Sequence, residues 1–190
     1  MIALTYDDGP NEPYTRQVLD LLAEYGVKAT FFVIGKWAKQ LPAGVKAIAA
    51  GGHEIGCHTE THPQLSSLDM DRRWDEVFEG DETIQEVTAV KPILFRAPFG
   101  DAPEGIKDIH IGWDIHGGDW AAKSVVEITH PIFEYLDAHK SGIVLLHDGY
   151  YKEFGADRSL TVEATRRILE RYKSQKFVTI SEYAVENSLA

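Results

Sequence analysis

Two adjacent carboxylates, Asp7 and Asp8, follow the first apolar run of the chain, and the turn residues Gly9 and Pro10 come directly after them. Neighbouring carboxylates at the end of a buried strand repel one another and lose solvation, so they are unfavourable unless a cation or a proton is shared there. The sequence therefore predicts a site at this strand end that needs two negative charges.

Two histidines further along the chain are ligands of the kind that a divalent metal prefers. His58 and His62 are four residues apart, so one helical turn or a compact loop would direct both imidazoles to the same side. Two imidazoles and one carboxylate form a three-ligand site with open positions, which is typical of catalytic zinc. Either Asp7 or Asp8 could be the carboxylate, and a pair of histidines on a solvated surface is the alternative interpretation.

The elements that must position these residues alternate along the chain between strand-like apolar runs and amphipathic runs of helical period. We predict strands over 2–6, 29–34, 53–57, 93–95, 109–113, 143–146 and 177–180, and helices over 13–25, 45–50, 72–87, 125–139 and 162–172. Repeated β-α units predict an α/β fold with a parallel sheet, either doubly wound or closed into a barrel.

Several polar residues follow predicted strands, and all of them lie at carboxyl ends. They are Asp7 and Asp8, His58 and His62, Arg96, Asp119 with Trp120, and His147 with Asp148. In a parallel α/β fold the carboxyl ends of the strands converge on one face, where sites are built. The organisation of the chain therefore predicts one shared pocket, at which Tyr150 and Tyr151 could stack on a sugar ring or cap the rim.

Composition narrows the class of protein. The 190 residues are 44% apolar with no linker-like stretch, which predicts a single domain over 1–190, and no apolar run approaches the ~20 residues that span a bilayer. The net charge of −11 argues against nucleic acid as a partner. The single cysteine, Cys57, cannot form an internal disulfide. A strand from residue 2 leaves no room for a signal peptide, so we expect a cytosolic chain or a mature domain.

Five short segments occur in the order of the motifs of a known family. They are Thr5 to Pro10, His58 to His62, Arg96 to Gly100, Asp119 with Trp120, and Leu145 to His147. In these segments the chain resembles the polysaccharide deacetylases, the nodulation-protein-B homology domain of carbohydrate esterase family four. A single motif is weak, because Asp-Gly is an ordinary turn signal. Five in order are specific, and together they cover nearly the whole chain.

The resemblance implies a distorted (β/α) barrel with about seven parallel strands. It implies removal of acetyl groups from N-acetylated glycans such as chitin oligomers or peptidoglycan, with an acetylated polysaccharide or oligosaccharide as substrate. The implied cofactor is a divalent metal, with zinc as the expected ion and cobalt or nickel as alternatives. We expect a monomer, and the family suggests an extracellular or cell-surface location.

The same resemblance assigns roles to individual residues. Asp8, His58 and His62 would hold the metal, Asp7 would be the general base that deprotonates the attacking water, and His147 would be the general acid. The remaining implied residues are Arg96, which orients the base, the backbone N–H of Phe99 at the acetyl oxygen, Asp119 among the substrate contacts, and Trp120 and Leu145 around the acetyl methyl group.

The chain departs from the family pattern in two places. His116 lies where an acidic residue commonly supports the catalytic histidine, and Asp114 or Asp119 could substitute for it. The segment Asp101 to His110 is short where a full helix would be expected, which predicts a thin barrel wall and a more open groove. An O-acetyl esterase acting on xylan and a catalytically inactive glycan-binding barrel are the alternative functions.

Overall fold

A parallel sheet forms the centre of the protein, as described by a computed structural model for residues 1–188. Its strands are β1 (Ile2–Asp7), β2 (Thr30–Val33), β3 (Glu54–Cys57), β4 (Ile115–His116) and β5 (Gly142–His147). All four pairings are parallel, and the strand order is β3-β2-β1-β5-β4. The predicted α/β fold with a parallel sheet is therefore confirmed.

Helices connect and cover the strands. They are α1 (Tyr14–Glu24), α2 (Gly35–Gln40), α3 (Pro42–Ala50), α4 (Met70–Thr88), α5 (Val125–His139), α6 (Ser159–Arg171) and α7 (Ile180–Ser188). The two longest helices begin at side-chain caps, because the Asp69 carboxylate accepts the backbone N–H of Arg72 in α4 and the Ser124 hydroxyl accepts that of Glu127 in α5. Within residues 1–188, no helix is both long and apolar enough to cross a membrane.

Three of the seven predicted strands form isolated bridges in place of ladders, and β4 at Ile115–His116 was not predicted, because the strand was expected over 109–113. The described sheet therefore has five strands where about seven were expected. Phe95 pairs with Cys57 of β3, and His110 pairs in turn with Phe95. Phe177 pairs with Ile2, and α7 begins at Ile180 where a strand was predicted. Each of these segments is paired at one residue only. Residues 101–110 form turns without a helix, as expected.

The pairing register places the site residues of two strands at one level. Every residue of β1 is buried, and Asp7 is its last residue. Asp7 pairs with His147 of β5 on one side and with Phe32 of β2 on the other. The carboxyl ends of the two neighbouring strands β1 and β5 therefore deliver an acidic and an imidazole side chain to the same edge of the sheet.

Candidate metal centre and active site

Asp8, His58 and His62 form a compact group of potential metal ligands. The Asp8 Oδ1 atom lies 3.5 Å from His58 Nε2 and 3.1 Å from His62 Nε2, and the three ligand atoms all lie within 4.8 Å of one another. Each residue is buried, with at most 6% of its surface exposed. Atoms at these separations can each lie about 2 Å from one ion, as in zinc sites with nitrogen and oxygen ligands.

The hydrogen bonds around this group fit a cation. His58 Nδ1 lies 2.7 Å from the carbonyl oxygen of Arg96, so Nδ1 carries the proton and Nε2 presents its lone pair toward Asp8. Burial disfavours the charged form of Asp8, but the imidazoles of His58 and His62 outweigh it and hold the pKa of Asp8 well below its usual value. Its Oδ1 is nevertheless buried without a hydrogen bond. An ionised, unpaired oxygen facing two imidazole nitrogens is suited to a divalent metal.

Asp7 has a different partner from its neighbour. Arg96 is fully buried and donates from Nη1 to Asp7 Oδ1 at 2.9 Å and to the Thr5 hydroxyl at 2.7 Å. Its Nε and Nη2 atoms donate to the carbonyl oxygens of Ile111 and Gly112, each at 2.9 Å. Every guanidinium nitrogen therefore has an acceptor, and the arginine fixes one oxygen of Asp7 while leaving the other free.

His147 is held by a buried carboxylate. Its Nδ1 lies 2.8 Å from Asp119 Oδ1, and its backbone N–H donates to Asp119 Oδ2 at 2.7 Å. The hydroxyl of Thr161 also donates to Oδ2, at 2.8 Å. Burial opposes the charged imidazole, but the Asp119 carboxylate outweighs burial, and Asp8 and Asp7 add to it, which raises the pKa of His147 to about 9.

Asp119 therefore contacts His147, the predicted general acid, and its expected place among the substrate contacts stays a prediction. The missing acidic residue at His116 is replaced by Asp119, since Asp114 accepts the backbone N–H of Ile143 near the opposite end of β5. The side chain of His116 is exposed, and its ring lies 5.0 Å from that of Trp120. The sequence named Asp119 as a candidate support for His147, and the structure selects it.

One cavity of about 370 Å³ brings most of the predicted residues together. Its lining consists of Asp7, Asp8, His58, His62, Phe99, Gly100, Trp113, Trp120, Leu145, His147, Tyr150 and Tyr151. Arg96 and Asp119 lie outside this lining and act on it through Asp7 and His147. Trp113 was predicted as a strand residue without a role in the site. Trp113 is the last residue of the strand predicted over 109–113, and this position at a carboxyl end could have indicated a place in the site.

Two aromatic residues pack against the candidate ligand His62. The Tyr151 ring stacks on the His62 imidazole with centroids 4.2 Å apart, and the Phe99 ring meets the same imidazole edge-on at 4.7 Å. Phe99 and Tyr151 also contact one another at 5.2 Å. Tyr151 therefore lines the cavity beside the candidate metal ligands. The sequence had left open whether it stacks on a sugar ring or caps the rim.

Several site residues have left-handed backbone conformations. The φ angles are 70° at Asp8, 68° at Thr59, 65° at His62 and 59° at Phe99. Such angles are uncommon for residues other than glycine and persist where surrounding contacts enforce them. One such contact is the Thr59 hydroxyl, which accepts the backbone N–H of His62 at 2.9 Å.

Both the sequence and the fold are similar to those of known proteins. The sequence profile described as polysaccharide deacetylase matches residues 1–113. A peptidoglycan-N-acetylglucosamine deacetylase of Bacillus cereus is 38% identical over 193 residues, covering 96% of this chain and 87% of that protein. A chitooligosaccharide deacetylase of Bradyrhizobium sp. is 37% identical over 176 residues, covering 87% and 77%.

A solved structure extends this similarity to the fold. The Xyl-CE4 domain of a multidomain xylanase from the hindgut metagenome of Trinervitermes trinervoides superposes with a TM-score of 0.84 at 30% sequence identity. The superposition covers 98% of this chain and 90% of that domain.

Replacing Asp8 tests the metal group. We expect Asp8→Ala to raise the Kd for Zn²⁺ by more than about 100-fold, because it removes the anionic member of the three ligands. Calorimetric titration of the metal-free protein measures this constant. His130→Ala, on the exposed face of α5, serves as a control that should leave the affinity unchanged. An unchanged Kd in Asp8→Ala would place the metal elsewhere.

Replacing Asp119 tests the support of His147. The pKa of about 9 exceeds the ordinary 6.5, so the stability gained from the protonated imidazole is complete below about pH 6.5 and is lost as the pH rises through about 9. Asp119→Asn should lower this pKa, because it removes the largest contribution that favours the charged imidazole while burial still opposes it. An NMR titration of the metal-free protein measures it, with Asp114→Asn as the charge-matched control. An unchanged midpoint would assign the shift to Asp7 and Asp8.

Proposed function

The chain belongs to the polysaccharide deacetylase family, and we propose that it is a metal-dependent hydrolase that removes acetyl groups from N-acetylated glycans. One observation carries the proposal. A candidate metal group, a carboxylate held by a buried arginine and an imidazole held by a buried aspartate all meet in one cavity. The names of its relatives favour chitin oligomers or peptidoglycan as the glycan.

Asp8, His58 and His62 would hold the metal. When bound, a divalent metal lowers the pKa of a coordinated water toward ~7 and polarises a carbonyl oxygen. Two imidazoles and a carboxylate are a ligand set of catalytic zinc, and cobalt or nickel could occupy it as well. The ordered tautomer of His58 prepares this set before any metal arrives.

Asp7 would act as the general base. Arg96 occupies its Oδ1, so Oδ2 remains to accept a proton, and this oxygen lies 3.8 Å from His58 Nε2 at the edge of the metal group. Because Arg96 is buried and each of its guanidinium nitrogens donates a hydrogen bond, it would fix the orientation of the base. Removing a proton from the attacking water at this point leaves the water oxygen free to add to the acetyl carbonyl carbon.

His147 would act as the general acid. Its Nδ1 is engaged by Asp119, so Nε2 is the nitrogen that can deliver a proton to the leaving amine. The raised pKa of about 9 keeps the imidazole protonated at neutral pH. Protonation of the amide nitrogen lets the carbon–nitrogen bond break, and the products are acetate and a free amine on the sugar.

The acetyl group would be recognised by a backbone donor and an apolar slot. The Phe99 N–H would stabilise the negative charge that develops on the acetyl oxygen, a type of contact worth roughly 3 kcal/mol. Trp120 and Leu145, which both line the cavity, would surround the methyl group. An ester passes through the same tetrahedral geometry, and similarity to a xylanase-associated domain makes acetylated xylan the second candidate substrate.

An acetate-release panel tests the function and the substrate. We expect release from chitooligosaccharides or peptidoglycan, its loss on chelation, and its recovery when zinc or cobalt is added. Enzymatic assay of acetate with acetylated xylan as the third substrate decides between amide and ester. Activity confined to xylan would contradict the amide substrate, and sugar binding by a metal-free protein without turnover would indicate an inactive glycan-binding barrel.

A substitution of Asp7 separates the base from the metal ligands. Asp7→Asn should reduce kcat by about 10²- to 10⁴-fold while the Kd for Zn²⁺ changes little, because the amide keeps the shape but accepts no proton. Turnover and zinc affinity are measured on the same preparation. Loss of metal equal to that of Asp8→Ala would reverse the roles assigned to the two neighbours.

A further inference from the structure

His110 contacts the loop that carries the proposed acetyl-oxygen donor, although no feature of the sequence gave it a partner. We propose that His110 is a positioning residue that holds the Ala97–Gly100 loop, and with it the Phe99 backbone N–H, in the geometry used for deacetylation. This inference rests on the proposed function. It adds a residue that is not itself part of the cavity lining, although its ring packs edge-on against the lining residue Trp113 with centroids 6.4 Å apart.

The contact is a hydrogen bond at the start of the loop. The Ala97 backbone N–H donates to His110 Nδ1 at 3.0 Å, and the His110 side chain is half-buried. Since Nδ1 is the acceptor, the imidazole is neutral and carries its proton on Nε2. A protonated or apolar side chain at this position offers no acceptor to Ala97.

The residues after His110 contact both ends of this loop: Phe95 and Arg96 just before it, and Gly100 at its end. Ile111 donates its N–H to the carbonyl oxygen of Phe95 at 2.8 Å, and the carbonyl oxygens of Ile111 and Gly112 accept from the Arg96 guanidinium. The Trp113 ring lies so close to Gly100 that an added Cβ would approach it to 2.9 Å. The segment 110–113 therefore positions both the arginine that orients the base and the loop that carries Phe99.

The loop needs such support because its backbone is unfavourable. Phe99 has φ 59° and Gly100 has φ 67°, so two consecutive residues are left-handed. The internal bonds from Gly100 N–H to Ala97 and from Asp101 N–H to Pro98 close the turn but do not attach it to the sheet. The bond to His110 supplies that attachment immediately after Arg96.

The surroundings of His110 favour its accepting form. Burial lowers the pKa of His110, and the positive charge of Arg96 lowers it further. Asp7 acts in the opposite direction and His58 in the same direction as Arg96. The net effect keeps the imidazole neutral, which is the state that the hydrogen bond to Ala97 requires.

Two substitutions distinguish positioning from packing. His110→Asn places a side-chain oxygen near the position of Nδ1, whereas His110→Leu fills similar space without an acceptor. On the zinc-loaded protein we expect His110→Leu to lower kcat for chitooligosaccharide by about 10- to 100-fold, with KM and zinc affinity within about 3-fold of wild type. His110→Asn should retain kcat within about 3-fold, and His130→Leu on α5 is the matched control.

Amide hydrogen exchange at Phe99, Gly100 and Asp101 gives a readout that does not depend on turnover. We expect faster exchange there in His110→Leu and wild-type rates in His110→Asn. Equal exchange and equal kcat in the two variants would overturn the inference, as would an effect on KM or zinc affinity alone. If wild type releases no acetate from any glycan, the proposed function fails, and the exchange rates still decide whether His110 holds the loop.

Discussion

The structure is organised around two like charges that are adjacent in sequence and withdrawn from solvent. Asp7 and Asp8 are only 3% and 5% exposed, so their repulsion is weakly screened and each needs a positive partner. Asp7 has one in the buried guanidinium of Arg96. Asp8 faces only the imidazoles of His58 and His62, with one oxygen unpaired. Arg96 is a direct cationic partner of Asp7, and a divalent cation held by Asp8, His58 and His62 would give Asp8 a direct cationic partner as well.

This negative charge also contributes to the pKa shifts of neighbouring groups. Burial raises the pKa of Asp148 to about 7, with Asp8 and Asp7 adding to the effect, and the Thr15 hydroxyl donates to the Asp148 carboxylate. The same charges help to keep His147 protonated. Asp7 and Asp8 thus disfavour a further anion at Asp148 and favour a cationic imidazole at His147, which suits the proposed division of base and acid within one cavity.

The candidate site residues that lie in short sequence motifs could be predicted from the sequence. The metal group and the base lie in short motifs at strand ends, and parallel topology was enough to bring those ends together. Contacts between separate segments are harder to predict: Asp119 hydrogen-bonds to His147, and spacing alone could not distinguish it from Asp114 as the partner. Apolar runs around Phe95 and His110 resemble strands, yet each run is paired at one residue only, and Ile180 begins a helix. Hydrophobic periodicity indicates which residues are buried, but it does not indicate how many residues of a segment pair with a neighbouring strand.

The left-handed conformation of Asp8 explains how adjacent residues can serve one site. Successive side chains of a strand point to opposite faces of the sheet, so Asp7 and Asp8 in regular β1 geometry would diverge. The strand ends at Asp7, and the φ of 70° at Asp8 breaks the alternation, which lets both carboxylates line the same cavity. A conformation of this kind costs on the order of 1–3 kcal/mol. Because it lies between the proposed base and the candidate metal ligand, this strained residue is the structural condition under which two neighbours could have the two different roles proposed for them.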